Sequence, residues 1–292
     1  MKNEICFKTH NAAFIALFVL GNAIIFLPVK TANEYTFLAF LAVCVISLGF
    51  FVGFSFIVNK FFNNKNGNII HKIWKTTVLI AVAVYSSFCG AEALKDYFKF
   101  ISQYVLPDTN PFFIVLLFIG CVFFFLKANK KAILKFSLLA FFFSVTVTLF
   151  FFFATAHNYE LRNIFIFELP NAKEFIKQAK PYFKEMFFPV VLLPFLNLEV
   201  FGKLRVKNSL VGLLAGFLVL GICVMGSVLL FGANLAGRLP FPFASAVSTV
   251  TIGRLFTRMD GLSYFIYFVT TLIKTVCCVY IIKFCIKKPT FS

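Results

Sequence analysis

A chain of 292 residues with 61% hydrophobic and only 13% charged residues carries more apolar side chains than a water-soluble domain can hide, and its mean hydropathy is +0.92. The net charge of +17 would suit nucleic acid, but the basic residues stand in short clusters between apolar runs and form no stripe on a folded face. Composition therefore indicates an all-α polytopic protein solvated by the lipid bilayer and argues against a nucleic-acid partner.

A span needs about 20 apolar residues to cross the hydrocarbon. Eight stretches qualify, at 11–29, 36–59, 76–95, 111–127, 132–156, 182–201, 208–232 and 261–284, and they make one transmembrane domain over 1–292. The first run is too long for a signal peptide, and no small-residue cleavage site follows it. With the N-terminus in the cytoplasm, the inside segments hold 16 of the 28 basic residues, and nine of the 11 acidic residues fall outside. The positive-inside rule then places both termini in the cytoplasm.

In chain order, the first span carries Gly21, Asn22 and Ala23 near its middle and Pro28 at its outer end. Unwound backbone is tolerated in a membrane only where protein packs it or it lines a cavity, so these residues are solute-site candidates. The plainer alternative is a close glycine contact with an asparagine bonded to a neighbouring helix. The third span offers the hydroxyls of Tyr85 and Ser86 to a cavity, with Glu92 and Asp96 at the outer interface. The long connection before the sixth span looks amphipathic near Ala172–Lys180.

The sixth span holds Pro189 and Pro194, each of which removes a helical hydrogen bond. This predicts a discontinuous helix with Phe188 and Pro189 at the break. Spans one and six are an odd number of spans apart and would run antiparallel, as the leading helices of two inverted repeats. Leu239–Gly253 is uncharged, too short to cross, and suits a re-entrant or interfacial segment. In the eighth span, Lys274 lies about halfway, with Thr270 and Thr271 one turn before it. An intramembrane lysine marks a functional site by default, snorkelling being the alternative.

The 8 cysteines fall mostly inside apolar runs and share no ligand spacing with the 3 histidines, so they read as small hydrophobes, and no metal or cofactor is expected. No Ser/His/Asp constellation or phosphate-cradling glycine loop suggests catalysis.

Four stretches carry a family resemblance: Leu20-Gly21-Asn22-Ala23-Ile24-Ile25-Phe26-Leu27-Pro28; Asp108-Thr109-Asn110-Pro111; Leu161-Arg162-Asn163; and Leu239-Pro240-Phe241-Pro242 leading to Thr251-Ile252-Gly253-Arg254-Leu255-Phe256-Thr257-Arg258-Met259-Asp260. Together they resemble the spore germination permease family, the B subunit of endospore germinant receptors. The resemblance implies the amino acid–polyamine–organocation superfamily and a leucine-transporter-like inverted-repeat fold, here shortened from ten spans to eight. It implies a solute site at the unwound parts of spans one and six, which correspond to Gly21-Asn22 and Phe188-Pro189. It further implies a nutrient ligand (amino acid, sugar or nucleoside), an A-type membrane subunit and a C-type lipoprotein as partners, and the spore inner membrane as the location. A secondary amino-acid transporter of that superfamily and a truncated structural subunit are the alternative readings.

Overall fold

The computed structural model describes residues 2–21, 23–27, 35–63, 69–163, 171–202, 204–250 and 260–287. Among them every regular element is helical. Asn22, Pro28 and the Thr251–Met259 stretch, singled out in the sequence, lie outside the described residues.

Among the described residues, five helices are long and apolar enough to cross a membrane: Thr36–Phe62, Lys72–Val105, Lys130–Ala154, Val206–Ala236 and Gly261–Lys287. Thr9–Leu20 and Phe112–Lys127 are shorter apolar helices. Large side chains such as Phe56, Phe88, Leu117 and Phe124 are exposed on the outer faces, as expected where hydrocarbon is the solvent. The chain is a multi-pass membrane protein.

Helix α1 (Lys2–Leu20) stops at Gly21, and a short helix α2 (Ala23–Phe26) follows. Gly21 adopts φ +27°, a region open to glycine and strained for other residues. Every side chain from Ala13 to Leu20 is buried, so α1 is a central helix. It packs most extensively on α9 (Val206–Ala236), and also on α6 (Lys130–Ala154) and α11 (Asp260–Lys287).

Glycine spacing explains the closeness of α1 and α9. A Cβ on Gly212 would sit 2.5 Å from the Ala12 carbonyl oxygen, and one on Gly216 would sit 3.1 Å from that of Ala16. Two small-xxx-small faces, Ala12/Ala16 and Gly212/Gly216, thus let the two backbones touch, with the helices parallel.

Helix α3 (Thr36–Asn63) and helix α4 (Ile69–Phe100) follow, and α4 runs on through a π-helical turn, Ile101–Val105. Helix α5 (Pro111–Lys127) starts where the sequence says it should: the Asn110 side chain accepts from the Phe112 N–H at 3.0 Å, and Pro111 opens the first turn.

The predicted break in the sixth span is corrected here. Helix α7 (Ala172–Tyr182), a π-helical turn (Phe183–Phe187) and helix α8 (Phe188–Phe201) form one continuous helical path. The wider π turn ends where Pro189 has no N–H to give, so the proline is absorbed without unwinding the chain. At the far end of α8, Lys130 donates to the Glu199 backbone and side-chain oxygens at 2.8 and 3.1 Å.

Helix α9 does break, at Gly232 with φ 71° and ψ 155°. The kink frees the Leu229 carbonyl, which accepts from the Glu160 N–H at 3.1 Å and from the Asn163 side chain at 3.2 Å. Asn163 of the Leu161-Arg162-Asn163 motif therefore has a structural task. Within the uncharged 239–253 stretch, Pro242–Ser248 forms the short helix α10.

Phe100 and Tyr104 of α4 stack edge-on against Phe241 beside α10, and Phe100 meets Tyr264 and Tyr267 of α11. This aromatic cluster marks the end of the bundle called distal below.

Candidate functional site

The break after Leu20 faces the middle of α11. Thr270 donates its hydroxyl to the Gly21 carbonyl at 3.1 Å, taking an acceptor that an unbroken α1 would have used itself. Lys274, one turn along, is 3% exposed. Its stem fills the space over Gly21, where a Cβ would overlap Lys274 Cδ. Gly21, Ala23, Thr270, Thr271 and Lys274 are all buried. The α1 break and the α11 polar stripe thus form one place in the core.

Two of the buried polar groups left without a partner among the described residues lie on the same helix. The hydroxyls of Tyr267 and Thr271, one helical turn apart, are buried and find no hydrogen-bond partner among the described residues. Burying a hydroxyl without a partner costs about 1–3 kcal/mol on mutational scales. Two such groups beside a broken helix are what a polar ligand would relieve.

The remaining expected residues separate. Ser86 is buried, but its hydroxyl donates to the Cys278 carbonyl at 3.0 Å and clasps α4 to α11. Tyr85 is half-buried and lies one turn before Cys89 on α4. Pro189 is buried inside α8. Phe188 is turned outward, 46% exposed, with its ring 6.0 Å from that of Phe187. The π turn adds a residue to the turn ahead of Phe188 and rotates its face away from the core, which a 3.6-residue period does not foresee.

The structure adds charged residues that the sequence reading left outside the site. Glu185, in the π turn, is 9% exposed and lies within coulombic range of Lys274, Asp96, Lys184 and Glu92. Lys184 pairs with Glu92 of α4. The sequence places Lys184-Glu185 at the start of the sixth span, 182–201, but their facing was not legible because it depends on the π turn that carries them. Tyr267, one turn before Thr271, is a further addition.

A separate cavity of about 600 Å³ opens between the end of α6 and the residues after α10, lined by Phe150, Phe153, Thr155, His157, Asn158 and Thr249 among others. It shares no residue with the Gly21–Lys274 site. No cluster of three potential metal ligands exists among the described residues. The described cysteines are free thiols.

Comparison with known protein families matches residues 8–290 to the spore germination protein family. The chain belongs to that family. The match covers nearly the whole chain, so the helix break at Gly21 and the Thr270–Lys274 stripe both fall within it. Comparison with curated proteins and with solved structures finds no match. Membership makes the molecule a germination-related, permease-like membrane protein.

Proposed function

We propose that this protein is the membrane subunit of a nutrient germinant receptor, which binds a small solute where α1 breaks against α11 and promotes spore germination. The observation that carries the reading is the Gly21 break itself, closed by Thr270 and Lys274 in the buried centre of the bundle. The unpartnered hydroxyls of Tyr267 and Thr271 supply polar contacts for such a solute. Binding there shifts a conformational equilibrium because the solute replaces contacts between α1 and α11 and so favours one arrangement of the two helices.

In this reading the fold is the leucine-transporter-like one with eight spans, both termini cytoplasmic, in the spore inner membrane. An A-type membrane subunit and a C-type lipoprotein read out the change. The solute is an amino acid, a sugar or a nucleoside.

The test is a thermal-shift screen of the purified protein in detergent against those three classes, repeated on Gly21→Leu. The reading expects at least one compound to raise Tm in the parent and not in the variant. A compound that stabilises both equally would move the site elsewhere.

A further inference from the structure

The charges that the solute reading does not use lie along one route to the site. Helices α4 and α11 run antiparallel: a Cβ on Gly90 would lie 3.3 Å from Cys278 Cβ, and the Tyr97 and Phe268 rings are 6.1 Å apart. Glu92 lies between these two contacts, at the level of Lys274. From there to the distal end, α4 turns one polar stripe outward: Glu92, Lys95, Asp96 and Lys99, at helical spacing. On the neighbouring path, Lys173, Lys177, Lys180 and Lys184 recur at intervals of four, three and four, all exposed, and so share one face.

The Lys184–Glu92 ion pair joins the two stripes at their deepest point, with side chains 55% and 44% exposed. Exposed charges at the level of a buried intramembrane lysine are stable only beside water, so the two stripes would border an aqueous crevice open to the distal end. Lys184 also lies 4.0 Å from the carboxylate of Glu185, and Cys89 stands one turn before Glu92 on α4. Cys89 is half-buried and within coulombic range of Lys274, Glu92 and Glu185.

We propose that the Lys184–Glu92 pair is a latch between this crevice and the α1/α11 site, and that its opening admits water and solute past Cys89 to Lys274. The proposal rests on the solute-site reading above. An exposed ion pair suits the task because it contributes little to stability and parts readily. The π turn that carries Lys184 gives α7 and α8 a place to flex without unwinding.

The experiment measures modification of Cys89 by a sulfonate-bearing methanethiosulfonate in nanodiscs, with no solute present, read by mass spectrometry. Attack by the thiolate forms a mixed disulfide and releases methanesulfinate. Glu92→Gln and Lys184→Gln are each expected to label Cys89 faster by about five-fold, the factor an exposed pair can hold. The charge swap Glu92→Lys with Lys184→Glu should return the rate to that of the parent.

Parent-like rates in both single variants would overturn the latch, as would a swap that labels as fast as they do. A matching rise at Cys223, which is buried on α9, would overturn it too, since that reports a loosened bundle. Because no solute is used, a failed latch with intact Gly21-dependent binding leaves the site reading standing. Latch behaviour without any solute binding would refute the site reading alone.

Discussion

Thr270 and Gly21 are 249 residues apart in sequence and joined by a 3.1 Å hydrogen bond from the threonine hydroxyl to the glycine carbonyl. This bond lets α1 end in the middle of an apolar bundle without leaving that carbonyl to hydrocarbon. The Lys274 stem, packed on the same glycine, makes the break and α11 a single unit.

Gly21→Leu places a side chain at φ +27° and into the Lys274 stem. The positive φ and the Phe18 carbonyl oxygen 3.1 Å away strain the added side chain, so Tm is expected to fall and the response is compared per molecule of protein in the membrane. Nutrient response should fall by about ten-fold or more, which corresponds to roughly 1.4 kcal/mol of lost solute binding. Quantitative immunoblotting beside a germination assay checks both halves, and a normal response would defeat the α1 proposal.

Lys274→Met keeps the stem and removes the charge. Alone it leaves Glu185 with one fewer cation in range, so Tm should drop. Adding Glu185→Gln should recover most of the loss, with a coupling of about 0.5–3 kcal/mol in the double-mutant cycle. Strictly additive effects would show that the two groups do not act on each other.

Gly212→Ala tests the α1–α9 seam. The added methyl would lie 2.5 Å from the Ala12 carbonyl oxygen and 2.9 Å from Ile15 Cβ, overpacking expected to destabilise by about 1–3 kcal/mol. Gly120→Ala in α5, with nothing within 4 Å, should instead stabilise by about 0.5–1 kcal/mol through helix propensity. Thermal unfolding of the two variants should therefore shift in opposite directions.

Asn163→Ala removes one of the two donors to the Leu229 carbonyl at the Gly232 kink. About 1 kcal/mol should be lost locally. Hydrogen exchange should quicken around Leu229–Ala233 and stay unchanged at α11.

The five long apolar helices were legible because hydropathy is local, as are caps: Asn110-Pro111 fixed the start of α5 at the residue expected. The α1 break was legible as a mid-span Gly-Asn, which also suited a close helix contact, and Gly21 does meet the Lys274 stem. Pro189 misled because the proline rule describes an α-helix, whereas the chain answers with a π turn that packs against α3. That turn also set the facing of Phe188 and drew Glu185 into the core. The Gly212/Gly216 seam was written in the sequence as a small-xxx-small spacing, but its partner Ala12/Ala16 becomes visible only when the two helices meet.

The measurement that tests the account most directly is hydrogen exchange of the parent protein with and without a compound that raises its Tm. Protection should appear at Gly21–Leu27 and along Tyr267–Lys274. Protection confined to the cavity lined by Phe150, His157 and Thr249, with Gly21–Leu27 unchanged, would contradict a solute site at the α1 break.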